Sequence, residues 1–380
     1  MRTRGNRVSL ILVRSIVTLC SLTLVCRLFE KAVVTPAAEQ KRSASSASSA
    51  LLTLNISTTS LSKPSVHRIP SRATTESRSL RGDVEDLSYL ETLLEVCGTL
   101  CTIEGGEFEG SLFFDQRLVT FDCPALFSDS VFIQHGHGQD AAPRVVPPKY
   151  LPHYTLNGQI PLSEFYWDEK YLGKTAHTPV WTRSLVDEWK SLVNEDKLEG
   201  NYGVEETKHL KNALLHARGV KNGRVLVIGS EFPWVEATVL ASGARSIVTL
   251  EYGKIKSEHP DILTMTPLEF KRAFHEETLG LFDAVVTFSS VEHSGLGRYG
   301  DALNPWGDVL EVARAHCVCA PGGSLVIAVM TNMTHDKLEF NAHRVYGYKR
   351  WPYLTTNWRQ VFREPSGFQV VHVFSKMNVS

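Results

Sequence analysis

Several features that would assign a function outright are missing from this sequence. There is almost no net charge, 40 Lys and Arg against 41 Asp and Glu, so the total gives no sign of a polyanion-binding surface. The seven cysteines include no two pairs at zinc-ligand spacing, and Cys317-Val318-Cys319 stands without a partner pair. The metal-binding Asp-x-Asp of many glycosyltransferases is absent, and no other cluster of metal ligands replaces it, so no metal is expected. With 43% hydrophobic and 21% charged residues, the composition excludes a disordered, collagen-like or small disulfide-stapled protein.

The near-zero total conceals two opposite halves. Residues 1–82 carry 13 Lys and Arg against 3 Asp and Glu, whereas residues 83–380 carry 27 against 38. An acidic body argues against nucleic acid as a partner, because phosphate neutralisation needs a basic face. The basic head begins with a tail over 1–7 containing Arg2, Arg4 and Arg7. An apolar run over 8–29 follows, interrupted by Arg14. That run is long enough to span a membrane if Arg14 snorkels, and the preceding charges place the N-terminus in the cytosol. A cleaved signal peptide, and hence a secreted protein, is the alternative. Residues 30–82 include a Ser/Thr-rich low-complexity stretch, the composition of a disordered stalk. Sequons at Asn55, Asn332 and Asn378 agree with a lumenal body. Together these features suggest a single-pass type II protein of the endoplasmic reticulum or Golgi, held to the membrane by its N-terminal segment. Cys20 and Cys26 lie in the apolar run. Of the others, a bridge from Cys97 or Cys101 to Cys123 is expected in an oxidising lumen, with Cys317 and Cys319 as small buried residues at a helix end.

The body divides into a mixed α/β extension over 83–180 and an α/β domain over 181–380. In the extension a helix is expected over 83–100, strand-like sequence over 111–132 and an irregular stretch over 134–161. His135 and His137 in that stretch lack a third ligand. Beyond residue 180, helical stripes and short apolar runs alternate. Helices are expected over 183–196, 204–217, 233–241 and 308–317, with another starting at the Thr266-Pro267-Leu268-Glu269 capping box. Strands are expected over 224–228, 246–250, 282–288 and 324–329, and a late strand over 368–374 as an antiparallel edge. Buried strands separated by helices predict a doubly wound, mostly parallel, Rossmann-like sheet, with ligands at the carboxyl ends of its strands.

Gly229 follows the first of these strands and Glu251 closes the second, 22 residues later, the spacing at which a carboxylate meets ribose hydroxyls. The turn Gly229-Ser230-Glu231 has one glycine where a dinucleotide fingerprint has three, and a carboxylate where a pyrophosphate would approach. S-adenosyl-L-methionine, which has a ribose diol, a cationic sulfonium and no phosphate, suits such a turn better. The order strand–Gly229, strand–Glu251, strand–Ser290-Val291-Glu292-His293, Pro321-Gly322-Gly323–strand resembles class I methyltransferases. More closely, VLVIGSEFPWVEA, TLEYGKI, SEHPDI, FSSVEHSGLGRYGDALNPWGD and FNAHRVYG are similar to an uncharacterised family of unknown function first grouped from Caenorhabditis proteins.

The resemblance implies a cofactor pocket built from Tyr202, Gly229, Glu231, Glu251, Ser290 and Glu292. The polar, glycine-rich stretch over 289–308 carries the chemistry in this reading. His293 is a candidate general base and Asp301 its alternative; the other reading of Asp301 or Asp308 is a cap on the following helix. Arg298, Tyr299, Asn304, His343 and Arg344 are candidates for the acceptor side. Asn341, His343 and Arg344 fit a packed helix start equally well. Trp234, Trp306, Trp351 and Trp358 are either core residues or a sugar-stacking platform. The expected activity is methyl transfer in the secretory pathway, with a glycan hydroxyl as acceptor. The alternatives are a non-catalytic binding domain of the same fold and a glycosyltransferase.

Overall fold

The computed structural model describes residues 89–103, 117–128, 143–166, 178–299, 301–332, 334–364, 367 and 369–378. All of them fall in one unit spanning Ser71–Ser380. The expected membrane segment, the stalk, Cys20, Cys26, Asn55, His135 and His137 lie outside the described residues. Among the described residues no helix is long and apolar enough to cross a membrane.

In the extension a helix, α1, covers 89–97 and runs into a 3-10 turn over Gly98–Cys101. The strand-like sequence expected around Cys123 instead contains a short helix, α2 (Cys123–Leu126). The Asp122 carboxylate caps it by accepting the Ala125 N–H, and Pro124 occupies its first turn. A further short helix, α3 (Leu151–Tyr154), precedes β1 (Leu162–Phe165) and β2 (Val180–Trp181).

The remainder contains the expected helices and strands, together with elements that were not expected: strands over Lys256–Ser257, Ile262–Met265, Lys337–Asn341, His343–Val345 and Trp358–Arg363, and a short helix over Trp351–Leu354. Helices α4 (Arg183–Asn194) and α5 (Val204–Leu215) lead into β3 (Arg224–Ile228), followed by α6 (Trp234–Ala241), β4 (Ser246–Leu250), β5 (Lys256–Ser257) and β6 (Ile262–Met265). Thr266 and Glu269 close a reciprocal capping box at the start of α7 (Pro267–His275). Then come β7 (Phe282–Phe288), a 3-10 turn over Val291–His293, α8 (Gly307–Val318), β8 (Cys319–Val329), β9 (Lys337–Asn341), β10 (His343–Val345), α9 (Trp351–Leu354), β11 (Trp358–Arg363) and β12 (Val370–Lys376).

Seven strands form the main sheet in the order β11-β12-β8-β7-β3-β4-β6, parallel from β8 to β6. Chain order reverses between β3 and β7, which places the switch point at their carboxyl ends. Successive strand residues point to opposite faces. Val225 and Val227 therefore join the core under α4, α5 and α6, while Leu226 and Ile228 join the core under α7 and α8. The late strand is antiparallel, but it is not the edge. β12 sits between β8 and β11, because β11 supplies a further strand that covers it. The segment around Asn341 and Arg344 is the β9–β10 hairpin rather than a helix start, and β1 pairs in parallel with β9.

Two disulfides correct the expected pairing. Cys97 joins Cys101 across one turn, and Cys123 joins Cys317 at the end of α8. Cys319 is free and buried. Phe127 stacks on Phe274 of α7 at 3.9 Å, and the Arg314 Nε of α8 donates to the Leu126 carbonyl at 2.9 Å. The extension is therefore packed against the α7–α8 face of the sheet.

Candidate functional site

A cleft opens at the carboxyl ends of β3, β4 and β7, where Ile228, Leu250 and Phe288 stop and the chain turns away from the sheet. Gly229 begins the first turn with φ +72°, and a Cβ there would lie 1.8 Å from the Ser290 hydroxyl. No side chain fits, so the turns after β3 and β7 touch at this glycine.

Carboxylates hold the turn in place. Glu251 accepts the Ser230 N–H at 2.8 Å and the Tyr252 N–H at 2.7 Å. Glu236, fully buried in the first turn of α6, accepts from the Ser230 hydroxyl at 2.9 Å and the Thr249 hydroxyl at 2.8 Å. Burial pushes both carboxyls up to about 7. The main-chain N–H that would cradle a phosphate is thus already engaged, and a buried carboxylate sits at the start of the helix that would face it. A pyrophosphate does not fit this turn.

The remaining walls are aromatic and acidic. Trp234 meets Phe288 edge to face at 4.7 Å, and Tyr202 packs on Phe288 at 5.4 Å. Glu231, Glu251, Asp301 and Glu311 all line the cleft. The one arginine among the lining residues, Arg314, lies 3.4 Å from Glu311. Aromatic faces and carboxylates around a cleft suit a cationic organic ligand.

His293 lies in the 3-10 turn beyond β7, with 8% of its surface exposed. Its Nδ1 is 2.7 Å from the Ala342 carbonyl oxygen, which can only accept, so Nδ1 carries the proton and Nε2 carries the lone pair. Desolvation pushes the imidazole down to about 3, which keeps it neutral. It therefore serves as a hydrogen-bond acceptor rather than as a store of charge. Glu292 beside it is fully buried, accepts from the Ser289 hydroxyl at 2.9 Å and is pushed up to about 7 by desolvation.

Asp301 lines the cleft but is occupied by the main chain, accepting the Gly295 N–H at 2.7 Å and the Tyr299 N–H at 3.4 Å. It ties the glycine-rich loop together and does not cap α8. Nor does Asp308 act as a side-chain cap: it pairs with Arg350 at 2.6 Å. Asn304 is buried and accepts the Trp306 N–H at 2.9 Å, while Arg344 is 2% exposed and bonded to main-chain carbonyls. In these contacts both side chains face the main chain. Arg298 and His343 are partly exposed near His293, and Tyr299 meets its ring edge-on at 5.5 Å. The four tryptophans at 234, 306, 351 and 358 are buried, so they form core and cleft wall, not an exposed stacking platform. Sequence reasoning missed Glu236 and the Glu311–Arg314 wall; of these, only Glu236 had a local signal, a carboxylate in the first turn of an otherwise apolar helix.

The strand order and the cleft at its switch point define a Rossmann-like protein of the class I methyltransferase-like fold. In sequence, residues 221–376 match the family model described as Caenorhabditis protein of unknown function, DUF268. No curated protein matches the sequence. Among solved structures, the chain is similar to 1,6-didemethyltoxoflavin-N1-methyltransferase of Burkholderia thailandensis, with 14% identity, a TM-score of 0.33 and 51% of this chain aligned to 88% of that one. A second is N-methyltransferase NodS of Bradyrhizobium japonicum, with 15% identity, a TM-score of 0.29, and 46% aligned to 96%. These likenesses are partial, and the fold assignment rests on the strand order itself.

Proposed function

We propose that the protein is an S-adenosylmethionine-dependent methyltransferase. The observation that carries this reading is the acidic, aromatic cleft at the switch point, whose turn has its Ser230 N–H engaged by Glu251. The donor set fits a ligand with a ribose diol, an adenine ring and a positive charge, and fits a dinucleotide poorly. Glu251 would hold the ribose, with Gly229 allowing close approach, and Tyr202, Trp234 and Phe288 would enclose the cationic end. When bound, the cofactor supplies a methyl group on a sulfonium, already a good electrophile. The chain's task is then alignment of the acceptor and management of its proton. His293 Nε2, held unprotonated, accepts a hydrogen bond from the acceptor's O–H or N–H and so orients the attacking lone pair.

We place the protein in the secretory pathway, as a type II membrane protein or a secreted form, with a glycan hydroxyl as acceptor. The basic tail and apolar run support the address, and the Cys123–Cys317 bridge agrees with an oxidising compartment. The glycan follows from that address alone. Calorimetric titration of the purified full chain with S-adenosylhomocysteine tests the cofactor. Saturable binding at micromolar concentrations is expected, and no heat at millimolar ligand would sink the reading. Transfer of labelled methyl groups to glycan fractions tests the acceptor.

A further inference from the structure

Behind the cleft lies a group of buried charges that the proposed reaction does not use. Asp308 has 0% exposure, Arg344 and Arg350 have 2% each, and Asp336 has 3%. Arg350 donates to both Asp308 oxygens, at 2.8 and 2.6 Å, and the Tyr346 hydroxyl donates to one of them at 3.0 Å. The Asp336 carboxylate accepts the N–H groups of Gly347, Lys349 and Arg350. Burying so many charges is costly, and packed apolar residues would often hold a fold as well. The arrangement therefore calls for a reason other than stability.

Arg344 supplies one. Its Nε lies 3.6 Å from Asp308, which anchors the guanidinium. Its Nη1 donates to the Ser294 carbonyl at 2.7 Å and the Glu292 carbonyl at 3.3 Å, gripping the main chain on both sides of His293. Two residues earlier in the same hairpin, the Ala342 carbonyl receives the His293 Nδ1–H. The geometry points to Arg344 as a positioning residue that, through the carbonyls of Glu292 and Ser294, keeps His293 in one tautomer with Nε2 free to accept. A lysine at 344 would keep the charge but lose the rigid planar group whose Nε faces Asp308 while its Nη1 reaches both carbonyls. The purpose assigned to Nε2 rests on the methyl-transfer proposal; the clamp does not.

The test is nitrogen NMR of the full chain carrying isotope-labelled histidine, with His293→Gln giving the assignment. Titratable or charged groups facing the imidazole are Glu292, Arg298, Tyr299, His343 and Arg344. The wild type should show a single His293 tautomer, protonated at Nδ1, that stays neutral down to about pH 3. Arg344→Lys should lose that single tautomer and titrate closer to 6.5, because a loosened turn admits water while the nearby charge is unchanged. In a methyl-transfer assay the same variant should lower kcat more than it raises KM. Where Arg344→Lys does not fold, Arg344→Gln, which retains an N–H donor, takes its place. A wild-type imidazole protonated at Nε2 overturns the clamp, as does an unchanged tautomer and titration in a folded variant. Failure of the wild type to bind S-adenosylhomocysteine would overturn the proposed function, while the histidine spectra decide the clamp separately.

Discussion

Removing the Cys123–Cys317 bridge should destabilise the body far more than removing Cys97–Cys101. In the chain-entropy account, a cross-link stabilises by restricting the unfolded chain, and its effect grows with the logarithm of the closed loop. The sequence separations are 194 and 4 residues. They correspond to about 5 and about 2 kcal/mol at 25 °C. For a body of roughly 300 residues those losses lower Tm by about 8 and about 3 °C. The double variants Cys123→Ser/Cys317→Ser and Cys97→Ser/Cys101→Ser, melted side by side without reductant, give the comparison. The long bridge also ties α2 to α8, where Arg314 binds the Leu126 carbonyl and lines the cleft. Its loss should therefore weaken S-adenosylhomocysteine binding, while loss of the short bridge leaves it unchanged. Equal destabilisation by the two pairs, or a larger loss for the short one, would refute the reasoning.

Glu251→Ala should abolish cofactor binding while the sheet's circular dichroism persists, since it removes a strand-end carboxylate and little core volume; unchanged affinity would mean that the ligand sits elsewhere. Gly229→Ala should be worse for folding, because its Cβ would collide with Ser290 in a left-handed turn, and a normal melt would contradict the close approach. Glu236, Glu251 and Glu292 are raised from 4.5 to about 7 in the folded state, which therefore binds protons that the unfolded state has released. Stability contributed by these three groups should fall as pH rises from about 4.5 to 7, the reverse of Asp308, whose depressed pKa stabilises above 3.8 and fails as pH falls. Chemical denaturation across that pH range reads the sign, and a rise from Glu251→Gln at pH 8 but not at pH 5 would locate part of the effect. His293→Ala should lower turnover by roughly 10²-fold or more with cofactor affinity retained, whereas Asp301→Asn should loosen the 295–299 loop and weaken binding itself. If the two variants exchange these behaviours, their roles are reversed.

Features carried by nearest neighbours along the chain were legible without a structure. The capping box at Thr266 is a four-residue pattern, and the apolar runs of β3, β4 and β7 are continuous because both faces of a parallel sheet are covered. The pairing of Gly229 with Glu251 follows from one strand–helix–strand unit, so its spacing is visible in one dimension. The carboxylate of the turn itself, Glu231, was legible too, and it lines the cleft. The contacts that set the site's electrostatics join distant segments and leave no such mark. Cys317 looked like a helix-end residue because its partner lies 194 positions away. Arg344 reads in sequence as a residue for an acceptor, yet burial against Asp308 and two carbonyls turns it inward. β12 was recognisable as a strand by its apolar alternation, but its interior place depends on β11 closing over it, a hydrogen-bonding choice made between strands. Sequence alone located five of the seven strands of the main sheet, because their apolar runs are local, and it left β6 and β11 unmarked. Tertiary structure decided which polar groups remain available to a ligand, because a side chain's partners depend on what the fold brings beside it.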